Sequence, residues 1–367
     1  MIHHFHSNDP LPLPLKIVFW ETTSLCNLEC AHCRRIDTAK NLSKEDLSTE
    51  QAKKLILSIS SFSNPILILS GGEPLLRDDI FSIAHFSVEN NIKVALATNG
   101  TLISDGIVKE ILKSKISRVS ISLDGADAKT HNIFRKIDGS FERAVEGIKL
   151  ITDAGIISQI NCTIARHNFH QIEELFNLAE SLRVYALHIF LLVPVGCGVD
   201  IADEQMLSPD EYEGVLKQFL ELSLDREIQT RVTCAPQIQR IIHQKLKGEN
   251  ISSEKRSKLS KLISKGCLAG QNVCFVSHKG DVFPCGYLPI SAGNIHKQSF
   301  RDIWESSEVF KELRNSRLLK GRCGLCEFKN DCMGCRARAY FATRQIMDED
   351  PLCLYSANPD SHNTFSK

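Results

Sequence analysis

The strongest constraint on how this chain folds is an alternation of short apolar segments with helical patterns, which occurs six times before residue 194. The apolar segments are rich in β-branched and aliphatic residues, and the segments between them carry apolar residues at helical spacing. Such alternation is typical of βαβ units and a parallel sheet. Six units fall short of the eight of a closed barrel, so we predict an α/β fold that is either a partial (β/α)6 barrel or a doubly wound sheet. The predicted strands are 16–20, 65–69, 92–96, 118–123, 157–162 and 187–193, and the predicted helices include 49–60, 105–113, 141–154 and 171–182.

The chain has 367 residues, and its 44 basic and 44 acidic side chains give no net charge at neutral pH. This balance gives no support to nucleic-acid or membrane binding through bulk charge. The first fifteen residues lack the basic and apolar regions of a secretory signal. We therefore expect a cytoplasmic protein without nucleic-acid or membrane partners, in which thiols stay reduced.

Eleven of the fourteen cysteines fall into three groups. In a reducing compartment, clustered cysteines more often bind metal or take part in redox chemistry than form disulfides. The groups are Cys26, Cys30 and Cys33; Cys267, Cys274 and Cys285; and Cys323, Cys326, Cys332, Cys335 and Cys353. The isolated Cys162, Cys197 and Cys234 are predicted to be small buried hydrophobic residues.

The thiols and the periodic segments together divide the chain into four parts. The last part shows little periodicity, so we expect metal rather than a large apolar core to order it. The expected parts are an N-terminal extension at 1–14, a core at 15–235, a charged helical bridge at 236–266 and a cysteine-rich domain at 267–367.

The first cysteine group directly follows the first predicted strand, with the spacing Cys26-x3-Cys30-x2-Cys33. Three thiolates on one short loop can hold three irons of a [4Fe–4S] cluster, which leaves the fourth iron open to a chelating ligand. A structural zinc site is the alternative, but zinc requires four ligands, usually as two pairs. His32 is a candidate for the fourth ligand. Its position between Cys30 and Cys33 disfavours a tetrahedral centre that includes all four side chains.

Three other predicted strands lead into polar loops. Parallel α/β architectures place their chemistry at the carboxyl ends of strands, so these loops and the cysteine loop are expected to form one site. The loop residues are Gly71, Gly72, Glu73 and Pro74 after the second strand, Thr98 and Asn99 after the third, and Ser122 and Asp124 at the fourth.

The cysteine triad and the Gly-Gly-Glu-Pro loop resemble the motifs of the radical S-adenosylmethionine (SAM) enzymes, whose hallmark is this triad after the first strand of a partial (β/α)6 barrel. The resemblance implies that SAM chelates the open iron of a [4Fe–4S] cluster, and that its reductive cleavage gives a 5′-deoxyadenosyl radical. It also implies SAM contacts from the three polar loops just described, and a bidentate contact from Arg135 to the SAM carboxylate. His32 stands where the family often has an aromatic residue.

The C-terminal cysteines resemble the SPASM extension of radical SAM enzymes, including Gly280 five residues before Cys285. The resemblance implies one auxiliary [4Fe–4S] cluster on Cys323, Cys326, Cys332 and Cys353, and a second on Cys267, Cys274, Cys285 and Cys335. Two residues separate Cys332 from Cys335, where the common pattern has three, so the resemblance leaves open whether there are one or two auxiliary clusters. Structural zinc is the alternative.

Segments 192–198, 232–236, 266–270 and 280–287 are similar to those of a radical SAM branch that acts on modified tetrapyrroles, the 12,18-didecarboxysiroheme deacetylases of alternative haem biosynthesis. The similarity implies removal of the C2 and C7 acetate side chains of 12,18-didecarboxysiroheme to give iron-coproporphyrin III. It also implies a reductant such as ferredoxin or flavodoxin. The candidates for contacts to substrate carboxylates are Arg34, Arg35, Arg166 and His167.

Three alternatives stay open. One is a related radical SAM enzyme of haem or haem d1 synthesis, for example one that oxidises propionates to vinyl groups. Another is a SPASM maturase that modifies a peptide. A non-enzymatic iron–sulfur carrier explains the thiols, but it does not explain the Gly-Gly-Glu-Pro loop.

Overall fold

A computed structural model describes residues 13–35, 45–248 and 251–356, and these residues contain a ten-stranded sheet. Seven of its strands are parallel and lie side by side in chain order, which confirms the predicted parallel α/β core. The last of the seven was not predicted, because its sequence, Gln-Thr-Arg-Val-Thr, has no apolar run. The seven are β1 (Ile17–Glu21), β2 (Ile66–Ser70), β3 (Lys93–Thr98), β4 (Arg118–Ser122), β5 (Ser158–Ile164), β6 (Ala186–Leu191) and β7 (Gln229–Thr233).

The order of these strands decides between the two predicted architectures. A doubly wound sheet requires the strand order to reverse at a switch point, and no reversal occurs from β1 to β7. Since crossovers between parallel strands are right-handed, a constant direction places the connecting helices on one face, as in a barrel. The connecting helices are α1 (Thr49–Ser60), α2 (Ile80–Glu89), α3 (Asp105–Lys113), α4 (Ala128–Arg135), α5 (Ser140–Asp153), α6 (Ile172–Ser181), α7 (Ala202–Gln205) and α8 (Pro209–Asp225).

The C-terminal third extends the same sheet on the other side of β1. Strand β8 (Val273–Val276) pairs in parallel with β1, β9 (Asp281–Phe283) pairs antiparallel with β8, and β10 (Gly293–Asn294) pairs antiparallel with β9. The predicted bridge contains α9 (Gln237–Lys247) and α10 (Ser253–Leu262). The remaining helices are α11 (Phe300–Ser306), α12 (Glu308–Arg314), α13 (Gly321–Leu325) and α14 (Arg336–Thr343).

The C-terminal part has more apolar core than the sequence suggested. Phe300, Trp304 and Phe310 are buried in the same apolar cluster as Val18 and Trp20 of β1. Its helices are short, with seven residues each in α11 and α12, so their periodicity is hard to detect in the sequence. This part therefore has an apolar core, where metal rather than a large apolar core was expected.

Two further points concern the predicted N-terminal extension and membrane-spanning helices. Most of the predicted extension at 1–14 lies outside the described residues. Among the helices that the structure describes, none is long and apolar enough to span a bilayer.

Candidate active site

The Gly-Gly-Glu-Pro loop packs directly against the backbone of the first cysteine loop. The amide of Gly72 donates to the carbonyl of Thr23 at 2.8 Å, and the amide of Glu73 donates to that of Leu25 at 2.7 Å. A Cβ atom on Gly72 would lie 2.0 Å from the Leu25 oxygen and 3.0 Å from Cβ of Cys26. The glycine is therefore required for contact between these two loops, a role that is separate from the predicted contact with SAM.

Glu73 joins this loop to the loop after β3. Its side chain is fully buried, and it accepts hydrogen bonds from the Thr98 hydroxyl at 2.7 Å and from the Asn99 amide at 2.8 Å. Burial raises the pKa of Glu73, although these hydrogen bonds oppose the shift. The Asn99 side chain in turn donates to Asn27 of the cysteine loop at 2.8 Å. Three of the predicted loops thus form one hydrogen-bonded unit.

Asp124, after β4, binds protein side chains rather than facing an open site. Its carboxylate is fully buried and lies 2.6 Å from Nη2 of Arg135 and 3.2 Å from Nε2 of His32. Burial favours the protonated acid, but Arg135 and the neighbouring histidines outweigh it and lower the pKa of Asp124 to about 2. Burial also lowers the pKa of His32 to about 3, so its ring is neutral. In the structure, Asp124 therefore binds and orients Arg135. The resemblance had implied a direct contact between Asp124 and SAM.

The three thiols of the first group each accept a hydrogen bond from a nitrogen of the chain. The Leu28 amide reaches Cys26 at 3.4 Å, Nη1 of Arg135 reaches Cys30 at 3.5 Å, and Nε of Arg35 reaches Cys33 at 3.4 Å. Burial raises the pKa of the free Cys26 thiol to about 11, so a metal is needed to hold it as a thiolate at neutral pH. Donors to sulfur are typical of iron–sulfur sites, and this set fits a [4Fe–4S] cluster.

His32 contributes a planar ring to this site. It stacks on Phe134 with a centroid distance of 4.2 Å, and the other neighbour of Phe134 is His167 at 3.8 Å. His167 was a candidate for substrate carboxylates, and the stacking gives it a packing role. Arg166, the candidate beside it, is exposed and pairs with Glu211 at 3.0 Å.

The structure brings together the thiols predicted for the first auxiliary cluster. The backbone amides of Phe328, Gly334 and Tyr355 donate to the sulfurs of the cysteines two residues before them. Nη2 of buried Arg336 lies 3.7 Å from the sulfur of the remaining cysteine, Cys323. This donor set fits a [4Fe–4S] cluster in the same way as the first group. One cavity is lined by all four thiols, which are Cys323, Cys326, Cys332 and Cys353.

The thiols predicted for the second auxiliary cluster do not all come together. Cys267, Cys285 and Cys335 lie in one apolar cluster, whereas Cys274 lies on β8 in the main core, opposite Val18. Cys274 therefore lies apart from the other three thiols of the predicted set, because the strand that carries it is buried in the main core.

The three isolated cysteines have different surroundings. Cys162 is fully buried in the main core, as predicted for a small hydrophobic residue. Cys197 is half-buried, and its amide donates to the carbonyl of Cys33 at 2.9 Å. Cys234 packs against the apolar cluster that holds Cys335. The sequence offered no signal for the last two positions, since each lies far along the chain from its neighbours.

An open cavity lies between the first cysteine loop and the C-terminal domain, with about 700 Å³ of empty space, its mouth included. Arg34 lines it, with the guanidinium 4.3 Å above the ring of Phe275. Among the described residues, Arg34 has no hydrogen-bond partner and no carboxylate within 4.0 Å. Cys285, of the second predicted thiol group, also lines this cavity.

A buried pair that sequence reasoning missed also lines this cavity. Nδ1 of His278 lies 2.9 Å from Oε2 of Glu21, the last residue of β1. Burial favours protonated Glu21, but the His278 hydrogen bond and Arg34 outweigh it and lower its pKa. Because 257 residues separate the two side chains, only the pairing of β1 with β8 reveals the contact.

Within the described residues, no three His, Cys, Asp or Glu side chains are close enough to hold one metal ion. All fourteen cysteines are free thiols.

Comparison with known proteins places these features in a family. Residues 20–179 match the radical SAM superfamily, and residues 267–335 match the SPASM iron–sulfur cluster-binding domain. The AdoMet-dependent heme synthase of Methanosarcina barkeri is 46% identical over 93% of this chain and 96% of its own length. The enzyme of the same name from Nitratidesulfovibrio vulgaris is 39% identical over 93% and 92%. The Fe-coproporphyrin III synthase of M. barkeri is 30% identical over 92% and 87%.

A solved structure agrees in fold. Streptococcus suis SuiB bound to S-adenosylmethionine superimposes with a TM-score of 0.70 at 18% identity, over 94% of this chain and 78% of SuiB. The predicted SAM and [4Fe–4S] cofactors are those of the matched domains. The chain belongs to the radical SAM superfamily, as a SPASM-containing enzyme of the family that includes the AdoMet-dependent heme synthases.

Proposed function

We propose that this enzyme completes haem synthesis by converting two propionate side chains of iron-coproporphyrin III into vinyl groups. The observation that carries the proposal is the cavity between the first cysteine loop and the C-terminal domain, in which no described carboxylate lies within 4.0 Å of Arg34 and Glu21 acts on it only at longer range. A tetrapyrrole supplies carboxylates for such a cation and a flat apolar ring for Phe275.

The relatives favour this reaction over the one predicted from the sequence motifs. Three relatives named AdoMet-dependent heme synthase are 38% to 46% identical to the chain, whereas the relative named Fe-coproporphyrin III synthase is 30% identical. Removal of the acetates of 12,18-didecarboxysiroheme, which gives iron-coproporphyrin III, is the second candidate. Both reactions belong to haem biosynthesis, and both need contacts to the carboxylates of a modified tetrapyrrole.

Residues of the first cysteine loop and of the loops beside it bind the SAM-binding cluster and SAM. Cys26, Cys30 and Cys33 hold the cluster that binds SAM, and Arg135, fixed by Asp124, is placed beside it for the SAM carboxylate. When bound, SAM and the reduced cluster supply the hydrogen-abstracting radical of this superfamily. Each propionate that becomes a vinyl group loses a hydrogen atom, an electron and CO2.

The electron balance also sets what the other parts of the protein must supply. The four thiols Cys323, Cys326, Cys332 and Cys353 hold an auxiliary [4Fe–4S] cluster. Such a cluster offers a place for an electron that leaves the substrate. A low-potential carrier of the ferredoxin or flavodoxin type reduces the SAM-binding cluster.

Product analysis tests the proposal. The reconstituted enzyme is incubated without oxygen with SAM, a reductant and either iron-coproporphyrin III or 12,18-didecarboxysiroheme. We expect haem from the first substrate, with one 5′-deoxyadenosine for each vinyl group formed. If only 12,18-didecarboxysiroheme is converted, and its product is iron-coproporphyrin III, the enzyme removes acetate side chains instead. 5′-Deoxyadenosine formed without either tetrapyrrole product would reject both reactions.

A further inference from the structure

The backbone of Cys234 has a conformation that residues other than glycine rarely adopt. It directly follows β7, and its φ angle is +59°, in the left-handed region. This conformation is unfavourable for a residue other than glycine, and it persists where surrounding contacts hold it. The Arg338 guanidinium holds it here by donating to the Cys234 carbonyl at 2.9 Å.

The thiol of Cys234 lies among three other thiols from distant parts of the chain. It is hydrogen-bonded to the thiol of Cys335, and it lies within electrostatic range of Cys285. Cys267 interacts in turn with Cys285 and Cys335. All four side chains belong to or pack against one apolar cluster, in which Cys335 is buried and the other three are half-buried.

The sulfurs of this group accept backbone hydrogen bonds in the pattern of the other two cysteine sites. Amides two residues further along the chain donate to Cys267 and Cys285, from Ala269 and Tyr287. Cys335 accepts from the amide of Arg338. Amide donors to sulfur compensate the negative charge of thiolates that hold an iron–sulfur cluster.

Cys274 lacks every one of these features in the described residues. Its thiol is fully buried on β8 opposite Val18, in the main apolar core. Arg314 is the charged neighbour that acts on it, with no thiol and no amide donor beside it. A thiol in this position satisfies the packing of the core and faces no other cysteine.

We propose that Cys234, Cys267, Cys285 and Cys335 are the protein ligands of a second auxiliary [4Fe–4S] cluster, and that Cys274 is not a ligand. The radical SAM core thereby supplies one ligand to a cluster whose other ligands come from the C-terminal domain. The proposal is independent of which tetrapyrrole reaction the enzyme performs, because it concerns cluster binding alone.

Iron and sulfide quantification of the full-length, anaerobically reconstituted enzyme tests this assignment, together with EPR spectra of the reduced protein. At four irons per [4Fe–4S] cluster, we expect about twelve irons per wild-type chain. Cys234→Ala is expected to contain about eight irons, or to show an altered EPR spectrum of one cluster. Cys274→Ala, the matched control, is expected to keep about twelve irons and the wild-type spectrum.

Two results would overturn the assignment: wild-type iron content and spectrum in Cys234→Ala, or a loss of about four irons in Cys274→Ala. About eight irons in the wild type would overturn it as well. Cys234→Ser, which keeps the size of the side chain, guards against collapse of the loop, and we expect the same spectral change from it. Because the measurement requires no substrate, its result is separate from that of the product analysis.

Discussion

Arg338 and Asp350 form a fully buried ion pair with two contacts, at 2.9 Å from Nε to Oδ1 and at 3.0 Å from Nη2 to Oδ2. Asp350 also accepts the amide of Cys335 at 2.7 Å, and Arg338 also donates to the carbonyl of Cys234. Since Asp350 lines the cavity of the first auxiliary thiols, the pair lies between the two C-terminal thiol groups. It links the backbones of Cys335 and Cys234, which are distant in the chain.

Replacing Asp350 by alanine leaves the Arg338 guanidinium buried without its carboxylate. Breaking a buried ion pair from one side costs about 3–5 kcal/mol, so we expect a fall of that size in the free energy of unfolding. Urea unfolding of the reconstituted protein measures it. The exposed pair Arg183 and Asp153 provides a control, because Asp153→Ala should cost about 1 kcal/mol or less. An equal effect in both variants would contradict the role of burial.

Gly72→Ala places a Cβ atom 2.0 Å from the Leu25 carbonyl, so the cysteine loop must move. We expect this variant to lose about four irons per chain, those of the SAM-binding cluster, and to lose SAM cleavage. Iron content and 5′-deoxyadenosine formation report the two effects. Gly214→Ala, at an exposed position of α8 with nothing within 4 Å of the new Cβ, should keep both properties and gain up to about 1 kcal/mol of stability. If Gly72→Ala keeps its full iron content and cleaves SAM, the cysteine loop and the Gly-Gly-Glu-Pro loop tolerate being moved apart.

Arg34→Gln removes one cation of the cavity, the guanidinium that lies over Phe275, and keeps a polar side chain there. A hydrogen bond to a charged group is worth about 1.5–3 kcal/mol, so the KM for the tetrapyrrole should rise by roughly ten- to a hundredfold. Uncoupled SAM cleavage without substrate should be unchanged. Arg166→Gln is the control, since Arg166 already pairs with Glu211 outside the cavity. An unchanged KM in Arg34→Gln would place the substrate carboxylates elsewhere.

His188 makes stability depend on pH. Burial, aided by Arg231 and Arg118, lowers its folded-state pKa to about 3, from about 6.5 in an unfolded chain. Between these values the unfolded chain binds a proton that the folded protein does not, so the free energy of unfolding falls as the pH drops from about 6.5 to about 3.

His188→Gln removes this titration and can keep a hydrogen bond to Gln159, whose side chain lies 2.9 Å from Nδ1 of the histidine. Unfolding curves at several pH values between about 7 and 4 should show a shallower dependence in the variant. The slope is not abolished, because burial also lowers the pKa of His32 and His131. An identical slope in wild type and variant would contradict the assignment.

The sequence predicted local features better than the contacts between distant segments. All six predicted strands form, because their β-branched residues fill the core. The polar strand β7 gave no such signal. The spacing of Cys323, Cys326 and Cys332 identified one thiol group, because these ligands are close together in the chain.

The second thiol group shows why the remaining contacts could not be predicted. Cys274 fits the spacing, but its strand pairs with β1 and is covered on all sides. Cys234 has no cysteine near it in the chain, and it reaches Cys335 only because β7 ends beside the C-terminal domain. Spacing cannot show either effect, since both depend on tertiary contacts.

The pairing of β8 with β1 means that neither half of this enzyme has a complete sheet alone. A chain cut before residue 267 would leave β1 as an unprotected edge, with the backbone groups of Ile17 to Trp20 unpaired on one side. Such an edge invites pairing between molecules. The cluster-binding C-terminal domain is therefore also the protection of the core against aggregation, and its loss would reduce solubility as well as remove cluster ligands.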